Sequence, residues 1–199
     1  MTSIVDQCVS AYAELKHLKL VGEKVGIPWQ TVYVHLRKAG IVVTGDKARY
    51  GSIADKLANK AERIFSKTVP FAIDNNKYEF QATIDFNIGD ITIDVKAATL
   101  AAAGRQLSGK KYAAKWGFCI NKQRDTADFF VLYAFDSDGE QVKHVFLIPN
   151  EIATQKTTIS IPFSLNSKWS DYRIEEAELP TFFSEIKEIN NLHKPVKEQ

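Results

Sequence analysis

The stretch from Ile84 to Thr99, IDFNIGDITIDVKAAT, constrains the fold more than any other part of the chain. Apolar residues alternate strictly on either side of Gly89-Asp90, a period of two that belongs to strands. A glycine in the first position of a two-residue connection suits a type II′ hairpin turn. The register follows outward: Ile88 faces Ile91, Asn87 faces Thr92, Asp85 faces Asp94 and Thr83 faces Lys96. Ile84, Phe86, Ile88, Ile91, Ile93 and Val95 then share one face, and Asp85, Asp94 and Lys96 share the other. Opposed side chains stand ~4.5–5.5 Å apart at Cβ, so two carboxylates there repel unless a cation intervenes. Mg²⁺ suits such oxygens and keeps waters, one of which can become a nucleophile. Lys96 would aim its ammonium at that water or at a phosphate oxygen. The alternative is a solvated polar face, as on many antiparallel sheets.

Before the hairpin the period is helical. Residues 3–17 carry Ile4, Val5, Cys8, Val9, Tyr12 and Leu15 at helical spacing. Leu20, Val21 and Val25 make a second, shorter stripe that Gly26 ends. Pro28 opens a third, in which Val32, Leu36 and Ala39 face inward until Gly40 stops it. Residues 41–52 read as a connector. The next helix runs from Ser52, with Asp55 completing an approximate capping box, and is striped by Ile53, Ala54, Leu57, Ala58, Ala61, Ile64 and Phe65. VPFAI, YEFQATIDFNI and ITIDVKA follow as strands, then an Ala-rich segment, 99–114, expected to be helical at least in part. Strands are expected at WGFCIN, ADFFVLYAF, HVFLIP and TTISIP, and a terminal helix at LPTFFSEIKEINNL. The fold class is therefore mixed, α+β or α/β, behind a small all-α module over 1–50, with the second domain over 51–199.

Composition narrows the setting. No apolar run approaches the ~18 residues of a membrane span. Cys8 and Cys119 lie far apart, and no signal-peptide layout precedes them, which predicts reduced thiols in a cytoplasmic protein. Net charge is only +2, but residues 105–124 hold Arg105, Lys110, Lys111, Lys115, Lys122 and Arg124 without an acid. Arg105, Lys110, Lys111 and Lys115 either line a DNA path or solvate a helix. The four histidines form no cluster, and neither a Gly-rich phosphate loop nor G-x-S-x-G is present. Asp128, Asp136 and Asp138 read as loop acids, and Trp116 and Trp169 as core or edge aromatics.

Two resemblances sharpen this. KLVGEKVGIPWQTVYVHLRKAGI resembles the helix-turn-helix domains of bacterial DNA-binding proteins through Val21, Gly26, Ile27, Thr31, Val32, Tyr33, His35, Leu36 and Gly40. The resemblance implies that Trp29, Gln30, Tyr33 and Arg37 meet bases or phosphates. A plain helical hairpin is the alternative. D-x₈-D-V-K on a hairpin, Asp85 with Asp94-Val95-Lys96, resembles the PD-(D/E)xK nuclease superfamily, which includes restriction endonucleases. That resemblance implies an αβββαβ core over 52–121, metal binding by Asp85, Asp94 and the Val95 carbonyl, and a catalytic Lys96. A glutamate from the preceding helix often completes such sites; Glu62 is the choice here, over Glu79, with a solvated helix flank as its alternative. Ile84 stands where that family usually has proline, Asp94 where glutamate is commoner, and Ala97 where a small polar residue is frequent. Together these predict a Mg²⁺-dependent endonuclease, with Mn²⁺ able to substitute, acting on double-stranded DNA, with either a homodimer or sequential nicking required for cutting both strands. The alternative is a non-catalytic, repressor-like DNA-binding protein on the same scaffold.

Overall fold

Ser3 starts the first helix, its hydroxyl accepting the Asp6 amide while the Asp6 carboxylate accepts the Ser3 amide. The computed structural model describes residues 2–43, 51–78, 82–105, 111–153 and 156–192, without the side chains of Arg105, Asn191 and Leu192. The chain divides into two compact units, Met1–Lys56 with Asp74–Ala82, and Leu57–Ile73 with Thr83–Gln199.

In the first unit α1 spans Ile4–Leu15, α2 Leu18–Val25 and α3 Trp29–Lys38. His17 caps α2 by accepting the Leu20 amide on Nδ1, and Gly26 ends it in the left-handed region at φ +77°. Cys8, Ala11, Tyr12, Val21, Val32 and Leu36 form the core the stripes called for. Ala39 is not on it: α3 closes there and leaves Ala39 exposed. Gly22 is a close-approach position, since a Cβ there would lie 2.6 Å from the Ile27 carbonyl oxygen. That contact folds the Gly26-Ile27-Pro28 turn tightly back onto α2.

The Ser52–Asp55 box forms at the start of α4, Ile53–Thr68. The second unit is built on a six-stranded sheet in the order β1-β2-β3-β7-β8-β10. These strands are β1 (Ile73–Asp74), β2 (Phe86–Ile88), β3 (Ile91–Thr99), β7 (Phe129–Phe135), β8 (Val142–Pro149) and β10 (Arg173–Ile174). β3 and β7 run parallel, while β2–β3, β7–β8 and β8–β10 are antiparallel. Because β3 and β7 are parallel, the chain must cross over between them. The crossover carries β4 (Gly104–Arg105), β5 (Lys111–Tyr112) and β6 (Lys115–Cys119). β6 pairs antiparallel with β9, Thr158–Pro162, as a separate two-stranded layer. A short α5, Asn150–Ala153, and the terminal α6, Leu179–Leu192, complete the unit.

Each sheet face has its own apolar layer. Ile91, Ile93 and Val95 of β3 and Val131, Tyr133 and Phe135 of β7 pack with Ala61 and Phe65 of α4 and Leu179 and Phe183 of α6. On the opposite face Ala98, Phe130, Leu132 and Ala134 pack with Trp116 and Phe118 of β6 and Ile159 and Ile161 of β9. Trp116 and Trp169 are both core residues.

Several expectations are corrected. Residues 99–114 form no helix among the described positions; Ala101 bridges Lys115, and β4 pairs with β5. Alanines and lysines favour helix locally, but these pairings and the β6–β9 layer bring the segment into extended structure. The described residues therefore show no helix between β3 and β6, where an αβββαβ core over 52–121 requires one. VPFAI contributes to a strand only at Ile73, after a turn in which the Ala72 amide bonds the Val69 carbonyl. Of YEFQATIDFNI only Phe86–Ile88 is strand; residues 83–85 bend, and residues 79–81 lie outside the described residues. Among the described residues no helix is long and apolar enough to cross a membrane.

Candidate active site

The β2–β3 register is the expected one as far as it forms, with Ile88 paired to Ile91, Asn87 to Thr92 and Phe86 to Ile93. The expected Asp85–Asp94 and Thr83–Lys96 pairs do not form, because residues 83–85 bend away. Gly89 has φ +62° whereas Asp90 is not in the left-handed region, the combination of a type II′ turn. Ladder pairing stops at Phe86. The bend at 83–85 breaks the alternation and turns Ile84 into the core on the β6–β9 side, away from Phe86 and Ile88, contrary to the shared face expected for it.

The bend also changes what Asp85 does. Counting outward from the closing Ile88–Ile91 pair, continued pairing would direct the Val95 amide at the Ile84 carbonyl. Instead the Val95 amide donates to Asp85 Oδ2 at 2.8 Å. A carboxylate thus takes the place of a ladder carbonyl. In an extended strand the N–H and C=O of one residue point to the same side, so the Val95 carbonyl is directed at the same edge as Asp85.

Asp94 and Lys96 emerge on the opposite face of β3 from Ile93 and Val95, beside Phe130 and Leu132 of β7. Asp94 is only 1% exposed and is the one charged residue buried to that degree among the described positions. The Lys96 ammonium lies 2.6 Å from Asp94 Oδ2, an ion pair by distance. Even so, Oδ2 lacks a well-aligned hydrogen bond. The 2.6 Å approach of the ammonium is the electrostatic contact made on that same oxygen. Burial pushes the Asp94 carboxyl up to about 7; Lys96 opposes the rise, and the neighbouring Asp85 charge adds to it. Asp85 and Lys96 are half-buried, so the site is sealed at Asp94 and reachable from the other two.

This donor set is hard oxygen, two carboxylates with a carbonyl at the same edge, and it fits a divalent cation of the Mg²⁺ kind. Among the described residues no three histidine, cysteine or acidic side chains gather as a metal-ligating group. Glu62 stands half-buried on α4, one position after the core residue Ala61. Glu79 lies outside the described residues.

The remaining candidates separate by unit. Trp29, Gln30, Tyr33 and Arg37 are all exposed on α3, while Val32 and Leu36 are buried, so the helix presents one aromatic and basic side. Lys111 is exposed on β5; Arg105 begins the pairing with it on β4, and Lys110 lies outside the described residues. Asp128 serves structure: its Oδ2 accepts the Thr92 amide and hydroxyl, each at 2.7 Å, and pins the start of the β3–β7 pair. Asp136 likewise accepts the Glu140 and Gln141 amides. Sequence reasoning missed the Val95 amide, because apolar residues alternate without a break from Tyr78 to Ile88 and give no sign of the bend at 83–85. Compared with known proteins, the chain matches no family model, no curated protein and no solved structure.

Proposed function

We propose that the protein is a Mg²⁺-dependent DNA endonuclease whose first unit is a helix-turn-helix that selects the site and whose second unit is a variant restriction-endonuclease-like domain. One observation carries the reading: a buried Asp94 whose carboxylate meets the Lys96 ammonium at 2.6 Å beside Asp85, at the edge where β2 stops. A scaffold gains nothing from this arrangement, because burying a carboxylate without full hydrogen bonding costs stability.

Asp85, Asp94 and the Val95 carbonyl would hold the cation. When bound, Mg²⁺ polarises the phosphate and lowers the pKa of its water. Lys96 neutralises Asp94 in the metal-free chain, and with Asp94 engaged elsewhere its ammonium is free to offset charge growing on the phosphate. Glu62 is proposed as a further acid of the site. Trp29, Gln30, Tyr33 and Arg37 would contact the double helix, with Arg105, Lys110 and Lys111 supplying phosphate contacts beyond the reacting bond. One such site cuts one strand, so double-strand cleavage calls for a homodimer or for sequential nicking.

The test is supercoiled plasmid incubated with Mg²⁺ or Mn²⁺ and wild type, Asp94→Ala or Lys96→Ala. Nicked or linear product from wild type alone supports the reading. If all three leave several DNA substrates equally intact, cleavage is excluded and the non-catalytic DNA-binding reading replaces it.

A further inference from the structure

The β6–β9 layer and its flanks, residues 101–124 and 152–170, contain eight of the chain's 26 lysines and arginines and none of its 24 acids. The remainder therefore carries 18 basic against 24 acidic residues. Charge this segregated along the sequence favours polyanions at these segments more than the overall +2 suggests.

These segments also expose aromatic rings. The layer's inward side chains, Trp116, Phe118, Ile159 and Ile161, are buried, whereas Lys115 points outward with Gly117 and Cys119. Phe163, just past the end of β9, is 61% exposed although its amide is fixed to the Ala114 carbonyl at 2.9 Å. Two residues before Ala114, Tyr112 lies against Gly104, where any Cβ would collide with its ring, and it is 43% exposed. Lys111 and Lys115, both exposed, stand either side of Tyr112 in sequence. Two exposed rings on anchored backbone, with exposed lysines beside Tyr112 in sequence, offer flat apolar faces for π-systems and cations for phosphates.

We propose that these residues bind an unpaired nucleic-acid strand, with Phe163 and Tyr112 stacking bases and Lys111 and Lys115 contacting its phosphates. A duplex offers only the phosphates, because its base faces are already stacked on one another; an unpaired strand offers both. The proposal goes beyond the endonuclease reading and does not depend on it.

Fluorescence polarisation of the full chain in EDTA, with labelled dT₁₂, U₁₂, a 12-mer of abasic sugar-phosphate and a 12-bp duplex, tests it. Wild type should bind dT₁₂ or U₁₂ more tightly than the abasic strand, and the ratio of those two affinities tells DNA from RNA preference. Phe163→Ala should weaken the preferred oligomer at least about fivefold and leave the abasic strand and the duplex unchanged. Lys111→Gln and Lys115→Gln should each reduce the salt dependence, as the slope of log K against log salt, by about 0.7. Because Phe163 is largely solvent-facing, its circular-dichroism melt should match wild type, separating lost contact from lost fold. Equal binding of dT₁₂, U₁₂ and the abasic strand, or no effect of Phe163→Ala on them, overturns the proposal. So does weakening of the duplex alone by the lysine variants, which would make this a duplex-backbone surface. Since every arm lacks metal, none of these results depends on whether the protein cleaves.

Discussion

The hairpins β2–β3 and β7–β8 each carry an aspartate, Asp94 within β3 and Asp136 just past the end of β7, in opposite settings. In the β7–β8 turn Asp136 accepts the amides of Glu140 and Gln141, and Lys60 of α4 bonds the Gly139 and Glu140 carbonyls from the other side. Partial desolvation pushes the Asp136 carboxyl up, but those amides and the Lys143 charge together hold it below its ordinary value. In β2–β3 Asp94 is sealed in the sheet with an oxygen lacking an aligned donor, and its carboxyl is pushed up. A carboxylate whose lone pairs are filled by backbone organises a turn. One buried against a single ammonium, with desolvation opposing its charge, adds no backbone link to the hairpin.

The contrast breaks most visibly in activity. Asp94→Ala and Lys96→Ala should each lower Mg²⁺-dependent plasmid cleavage by about 10²–10³-fold, whereas Asp136→Ala should cleave like wild type. Equal losses in all three would erase the distinction.

Next comes the pH dependence of metal-free stability. Asp94 titrates near 3.8 when unfolded and at about 7 when folded, so the native state binds more protons across that window. Its stabilising contribution is present in full below about pH 4 and is lost as pH rises to about 7. Thermal melts at pH 4–8 should show wild type declining relative to Asp94→Asn as pH rises. The lowered carboxyl of Asp136 works with the other sign: its contribution is present at neutral pH and disappears as acid protonates it. Asp136→Asn should therefore separate from wild type at neutral pH and converge with it in acid.

A smaller effect sharpens the structural side. Asp128→Ala should cost about 1 kcal/mol in urea denaturation, through the two Thr92 hydrogen bonds, and leave cleavage within about twofold. A large activity loss there would move Asp128 out of the structural class.

These differences explain what could be read beforehand. The β2–β3 register was legible because alternation and a two-residue Gly-Asp turn together leave one pairing. The helices α1–α4 were legible because their buried residues recur at helical spacing, although Ile4, Ile53 and Ala54 of the expected stripes are exposed. Residues 99–114 were not, because Ala101 meets Lys115 and β6 meets β9 through contacts that local propensity does not contain. Asp94's burial was hidden for a related reason. Its even-numbered face of β3 is covered by a layer supplied more than twenty residues later, so a position that alternation marked as polar became interior. Asp85, Asp94 and Lys96 could be named from their spacing; the unequal burial that divides their roles could not.

The Val95 amide gives the site a reporter of its own. It is held by the Asp85 side chain rather than by a neighbouring strand's carbonyl, so the last link of the β2–β3 ladder depends on where that carboxylate points. Any ligand that draws Asp85 away loosens one backbone amide and leaves the Phe86–Ile93 pair intact. In an ¹⁵N-labelled sample, occupancy would be written into the chemical shift and exchange rate of a single peptide group, legible without substrate, label or turnover.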